Sequence, residues 1–277
     1  MSSSSQHIVV IEAGRIESAY WKDLWRYREL FFFLAWRDVL VRYKQTFIGV
    51  LWSVIKPLLT MMVFVFVFGK LAKLPSDGVP YPVLVLSGML PWLFFASAFS
   101  EAGNSLVGNA NIISKVYFPR LIVPLSSVIV SLVDFLISGV LLVILMIWFN
   151  VLPDSRVLFL PFFIVLLILA AVGAGLWVAA LNVKYRDFAY VVPFVIQFGL
   201  YVSPVAFNSN IVPEKWRLLY ALNPMVGIID GFRWSITGTN TPLYWQGVVV
   251  SVVVVILLIF SGVQYFRATE RSFADVI

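Results

Sequence analysis

Few side chains in this sequence are equipped for bond-making chemistry. The chain has no cysteine and one histidine, His7, near its start. A thiolate metal site is excluded, and histidine acid–base chemistry is reduced to that one residue. Asp134 is the sole acid deep within a clear apolar segment. The paired carboxylates that would hold Mg²⁺ in a membrane phosphoryl or prenyl transferase are missing. A phosphate-binding loop of the form G-x-x-x-x-G-K-[ST] is missing too, because Gly69-Lys70 lacks the upstream glycine and the following hydroxyl. These residues predict no catalytic group, no metal site and no cofactor bound by this chain.

What remains is chemistry of contact. Tyr190, Phe194, Phe198 and Tyr201 recur at steps of four, four and three, which places their rings on one helical face with Gln197 beside them. Aromatic faces stack on the apolar C–H faces of sugars, and tyrosine hydroxyls and glutamine amides bond sugar hydroxyls. Weak, repeated contacts of this kind suit a long carbohydrate that must slide. The same spacing also serves ordinary helix packing or lipid contact. Trp52, Phe64 and Phe68 add rings in an earlier apolar segment. Lys56, before Pro57 in that segment, either faces a polar cavity or snorkels to the membrane surface. Asp134 reads as a hydrogen-bonding partner for a neighbouring helix, or else as a group facing the substrate.

These residues sit in a chain of 277 residues that is 61% hydrophobic and 12% charged. A soluble domain would be near half apolar and a quarter charged, so the sequence predicts an all-α integral membrane protein. A bilayer core of about 30 Å needs about 20 apolar residues in helix. Six segments qualify: 47–68, 83–99, 121–149, 157–181, 188–207 and 244–266. The connectors are short, so 1–277 reads as a single domain of six transmembrane helices. No cleavable leader is visible in the first 40 residues. The row of small residues Ala171, Gly175 and Ala179 permits close helix contact, read as packing within the chain.

Charge orients the spans. With both termini inside, the inner set is Arg15, Lys22, Arg26, Arg28, Arg37, Arg42, Lys44, Lys115, Arg120, Lys184, Arg186, Arg267 and Arg271. The outer set is Lys70, Lys73, Arg156, Lys215, Arg217 and Arg233. The excess of inner basic residues predicts cytoplasmic termini. The net charge of +6 points to anionic lipid rather than nucleic acid.

Three connecting regions carry a pattern of their own. In 18–44, Trp21, Leu24, Trp25, Phe32, Ala35, Trp36, Val39 and Tyr43 recur at helical spacing with charges between them. This predicts an amphipathic interface helix at head-group depth, or else a helix packed on other protein segments. The first six residues, Met1 to Gln6, are expected to be disordered. The segment 109–120 is a polar, basic and aromatic break on the cytoplasmic side, long enough for three turns of surface helix, about 18 Å. In 211–238 two short apolar pieces, each about 15 Å, meet at Asn223-Pro224. They predict a re-entrant outer hairpin, which needs cover from protein or a water-filled cavity, or else a helical pair on the outer surface.

Five strings now stand out: IGVLWSVIKPLL at 48–59, SKVYFPR at 114–120, VKYRD at 183–187, LNPM at 222–225 and ERSFAD at 270–275. Together they resemble the permease subunit of ABC-type polysaccharide exporters, in particular the lipopolysaccharide O-antigen exporter family (Wzm). The resemblance covers nearly the whole length. It implies a homodimer in the inner membrane with two copies of a separate ATPase, which would bind ATP and Mg. It implies that 109–120 is the coupling helix, with Asn111, Ile112, Ser114, Lys115, Tyr117, Phe118, Pro119 and Arg120 at the ATPase. Replacing Tyr117 or Phe118 by alanine is then expected to stop export while leaving the chain folded. A channel lined by Trp52, Lys56, Phe64, Phe68, Tyr190, Phe194, Gln197, Phe198 and Tyr201 is implied, with Trp216, Tyr220, Asn223, Pro224, Asp230 and Arg233 at the outer gate. The implied substrate is an undecaprenyl-pyrophosphate-linked polysaccharide such as O-antigen. Capsule and teichoic-acid exporters share the pattern. A membrane-embedded glycosyl or prenyl transferase lacks its paired acids here, and an ion-coupled transporter lacks buried acids and internal symmetry.

Overall fold

The structure, a computed structural model, describes residues 17–44, 47–238, 242–270 and 273. The readings at Met1–Gln6, His7, Arg15, Arg271, Ser272 and Ala274–Asp275 lie outside the described residues, as do the side chains of 47–50. Among the described residues every regular element is helical. In chain order they are α1 (Glu17–Arg26), α2 (Arg28–Tyr43), α3 (Phe47–Phe64), α4 (Tyr81–Gly108), α5 (Ala110–Ile113), α6 (Ile122–Trp148), α7 (Leu160–Lys184), α8 (Phe188–Val202), α9 (Glu214–Tyr220), α10 (Pro224–Thr237) and α11 (Trp245–Thr269). α3 continues as a π-helical stretch, Val65–Leu71, and a 3₁₀ turn, Ser155–Phe159, leads into α7.

Among the described residues, five stretches are long and apolar enough to cross a membrane: Leu51–Leu71, Tyr81–Gly108, Ile122–Trp148, Ser155–Lys184 and Trp245–Thr269. The segment expected over 188–207 is shorter. Pro204 disfavours the helical backbone at Ser203, whose ψ is 153°, and α8 ends at Val202 after 15 residues. That is about 22 Å of helix. α4 runs the other way, beyond its expected apolar limits to Gly108. Asn182 covers its polar end by donating to the Gly103 carbonyl and to Asn104 Oδ1, both at 3.1 Å.

α4 is the centre of the molecule and packs on α3, α6, α7, α8 and α10. Every residue from Val83 to Trp92 is buried. Lipid tails are as apolar as leucine, so contact between membrane helices depends on close packing rather than on escape from water. The small-residue row does this within the chain: a Cβ on Gly175 would stand 2.7 Å from Ala102 Cβ. A run of edge-on rings, Phe94–Phe135–Phe232, ties α4 to α6 and α10 at 5.6 and 5.9 Å.

A second apolar cluster gathers at the end of the molecule that holds α1, α2 and the 109–120 loop. It contains Leu34, Leu106, Ile113, Phe118, Leu121, Leu176, Val183, Phe266 and Phe273. The expected single helix over 18–44 is divided at Tyr27 into α1 and α2. Its apolar residues also divide between two faces. Tyr20, Leu24, Tyr27, Leu30, Phe31 and Leu34 pack on protein, while Trp21, Trp25, Phe32, Phe33 and Trp36 are exposed. Between α8 and α11, the region read as a re-entrant hairpin or a surface pair holds two helices, α9 and α10, of unequal burial. α9 is largely exposed, and the fourteen residues of α10 are mostly buried against α4, α7 and α11.

Candidate functional site

The 109–120 loop is built differently from a three-turn helix. Only α5, four residues, is helical, and Ser114–Pro119 is irregular. Asn109 leaves helical geometry at φ −110°, ψ 22°. At the far end Pro119 has no N–H to give and restricts Phe118 before it. The irregular path sorts the side chains. Asn111, Ser114, Lys115 and Tyr117 are exposed, with Tyr117 63% open, while Ile112 is half-buried. Phe118 is 4% exposed and Pro119 is also buried, so these two anchor the loop in the second cluster instead of offering a contact.

Both ends of the loop are tied down. At its start the Arg37 guanidinium of α2 donates to Asn109 Oδ1 at 2.8 Å and to Asp38 Oδ1 at 2.7 Å. At its end the Arg120 backbone N–H donates to Glu270 Oε1 at 2.8 Å, and the Arg120 guanidinium donates to the Glu270 carbonyl. Arg120 also lies over the Phe273 ring at 6.0 Å, and Arg267 lies over Tyr20 of α1 at 4.7 Å. Burial pushes the Glu270 carboxyl above its ordinary range, against the pull of the Arg120 N–H and the Arg120 and Arg267 charges. Burial, with the Glu270 charge beside it, raises the Tyr20 phenol in the same way.

The residues read as a lining stand mostly on open faces. On α8, Tyr190 (82% exposed), Phe194, Gln197, Phe198 and Tyr201 form one exposed stripe, with Phe194 and Phe198 stacked at 6.1 Å. On α3, Trp52 and Lys56 are exposed. Phe64 and Phe68 are half-buried, meet edge-on at 5.5 Å, and Phe64 packs on the main core. Both helices rest on α4.

The residues read as an outer gate divide into two kinds. Trp216 is exposed on α9. Asn223 caps α10 by accepting from the Met225 N–H and donates to Ser203 Oγ at 3.0 Å, with Pro224 at the first helical position. Tyr220 is half-buried with its hydroxyl enclosed. Arg233 is 3% exposed, 3.7 Å from Asp230, and holds the irregular stretch after α8. It donates to the carbonyls of Pro204, Val205 and Phe207 and to Asn208 Oδ1 at 2.9–3.0 Å. Tyr81 adds a bond to the Ala206 carbonyl at 2.8 Å. Four successive carbonyls outside any helix are thereby satisfied, which buried backbone requires. Gly88 leaves the room: a Cβ there would lie 2.1 Å from an Arg233 nitrogen.

Sequence reading missed Arg37, Glu270, Tyr81 and Asn208 as fixing residues, because their partners lie 72, 150, 125 and 25 residues away. Asp134, singled out as a helix partner, is one: it accepts from Tyr43 at 2.5 Å and Ser53 at 2.6 Å and pairs with Arg42 at 2.8 Å.

Long apolar helices around a buried central one, with aromatic faces left open, define a multi-pass α-helical membrane protein. The profile of the ABC-2 type transporter family matches residues 29–237, three quarters of the sequence. The chain belongs to that family. It is 28% identical to the O-antigen export system permease protein RfbA of Klebsiella pneumoniae over 87% of this chain and 92% of that protein. It is 27% identical to the protein of the same name from Myxococcus xanthus over 92% and 98%. The polysialic acid transport protein KpsM of Escherichia coli is 21% identical over 85% and 92%.

Proposed function

We propose that this chain is the transmembrane subunit of an ATP-driven exporter that moves an undecaprenyl-pyrophosphate-linked polysaccharide of the O-antigen class across the inner membrane. The observation that carries the reading is the open aromatic stripe of α8. Four rings and one amide without protein cover suit a sliding glycan, and the relatives named for O-antigen export match almost end to end. Two copies of the chain bring their α3 and α8 faces together around the path. The termini and the 109–120 loop lie in the cytoplasm, and α1–α2 rest their exposed tryptophans at the membrane surface. The loop presents Asn111, Ser114, Lys115 and Tyr117 to a separate ATPase that binds ATP and Mg, while Phe118, Pro119 and Arg120 hold it in place. The α9–α10 pair flanks the outer mouth.

A capsule exporter is the second reading, favoured by the similarity to the polysialic acid transport protein. Co-expression with an ATPase of the exporter class and purification of the complex tests the assignment. Tyr117→Ala is expected to stop glycan export with the chain level unchanged. Unaltered export together with unaltered ATPase docking would remove the loop from the interface. The chemistry of the lipid-linked glycan that accumulates in the export-deficient strain separates O-antigen from capsule.

A further inference from the structure

α3 is the least embedded of the five spans. Of its most apolar window 11% is buried, against 72% for α4. Packing within the chain therefore fixes its position weakly, and a few polar contacts weigh heavily. Those contacts converge on one carboxylate. Asp134 Oδ1, on α6, accepts from the Ser53 hydroxyl of α3 at 2.6 Å and from the Tyr43 hydroxyl of α2 at 2.5 Å. Asp134 Oδ2 pairs with Arg42 of α2 at 2.8 Å, and Arg42 reaches Glu101 of α4 at 3.3 Å. Ser138, one turn along α6, donates to the Ser53 carbonyl at 3.1 Å. Charge-assisted bonds of this length are strong and directional, so the elements that share them shift together or break them.

The same half of α2 also meets the start of the 109–120 loop. Arg37, about 7.5 Å from Arg42 along the helix, donates to Asn109 Oδ1 at the loop's start. One continuous polar path thus runs from Asn109 through α2 to Asp134 and on to α3, the helix that carries Trp52 and Lys56.

We propose that Asp134 is a positioning residue that couples movement of α2, driven at the 109–120 loop, to α3. The proposal rests on the exporter reading above. A relay needs an element that both ends bias, and α2 is that element: Arg37 binds it to the loop, and Arg42 and Tyr43 bind it to Asp134.

The test uses the whole chain in complex with its ATPase. The chain has no cysteine, so Leu59→Cys, on an exposed turn of α3, takes a single environment-sensitive fluorophore. ATP with vanadate is expected to shift its emission. Asp134→Asn keeps an oxygen for Tyr43 and Ser53 but loses the charge paired with Arg42. It is expected to cut the shift about fivefold or more while ATP hydrolysis continues, the size of an ordinary coupling between sites. Arg42→Gln added to Asp134→Asn should cost nothing further, as for two members of one path. Tyr43→Phe, which leaves the ion pair intact, should give an intermediate loss and serves if Asp134→Asn folds poorly. An unchanged shift in Asp134→Asn, or a loss of shift, ATP hydrolysis and thermal stability in parallel, overturns the relay. Failure of the wild-type chain to form any complex with the ATPase would instead defeat the exporter reading, and the relay with it.

Discussion

At the residue scale, two neighbours in one loop have opposite fates. Tyr117 is open and Phe118 is buried among Leu34, Leu121 and Phe273. Phe118→Ala is expected to leave a cavity and to cost about 3 kcal/mol or more of stability, as large-to-small changes at buried phenylalanines do. Tyr117→Ala should leave the thermal midpoint of the purified protein in place. A loss of export in Phe118→Ala therefore says little about docking, and Tyr117 is the informative position. Arg233 makes a second case. Arg233→Met would strand three backbone carbonyls, each costing about 1–3 kcal/mol when buried without a partner. A steep fall in folded yield is expected. Arg233→Lys should not restore it, because an ammonium cannot span the four acceptors that the planar guanidinium reaches. Yield by size-exclusion chromatography decides both.

At the scale of elements, the end of α11 holds the end of the 109–120 loop through Glu270. Its carboxyl titrates above the ordinary value of 4.5 because it is buried. The folded state therefore binds this proton more tightly than the unfolded chain. The stabilising contribution is complete below the ordinary value and is lost as pH rises through the raised one. Thermal melts of the wild type should show this loss as pH rises above 4.5. Glu270→Gln, which still accepts the Arg120 N–H, should flatten that part of the profile; an identical slope in the variant assigns it to other groups. For α8, the paired change Phe198→Ala with Tyr201→Ala removes two rings of the exposed stripe without opening the core. Export of long glycans should slow, with short ones less affected, as expected where weak contacts repeat along a path. Equal rates in wild type and variant would return the stripe to lipid contact.

At the scale of the whole molecule, α3 and α8 leave their aromatic faces open, and the proposed path needs a second copy to close it. Native mass spectrometry of the complex is expected to give two copies of the 31.3 kDa chain with two ATPase subunits. A stable one-to-one complex competent in export would exclude a path between copies. At one end of the molecule α1, α2, the 109–120 loop and the end of α11 share one apolar cluster and its polar ties.

Composition and periodicity determined that the chain is helical and apolar enough to enter a bilayer, because both are local properties of its residues. Five of six expected spans were legible for that reason, as was the aromatic stripe of α8. The end of α8 was also written in the sequence, at Ser203-Pro204, but a continuous apolar run to Phe207 hid it. The tertiary structure decided the rest. Whether Trp25 or Leu24 faces protein on α1, whether Phe118 or Tyr117 is buried, and which carbonyls Arg233 binds all depend on partners far away in sequence. So does the meeting of Asp134 with Tyr43 and Ser53, 91 and 81 residues away. Hydrophobic spacing records that a side chain wants cover. Only the packing of α4 among its neighbours settles which side chains receive it.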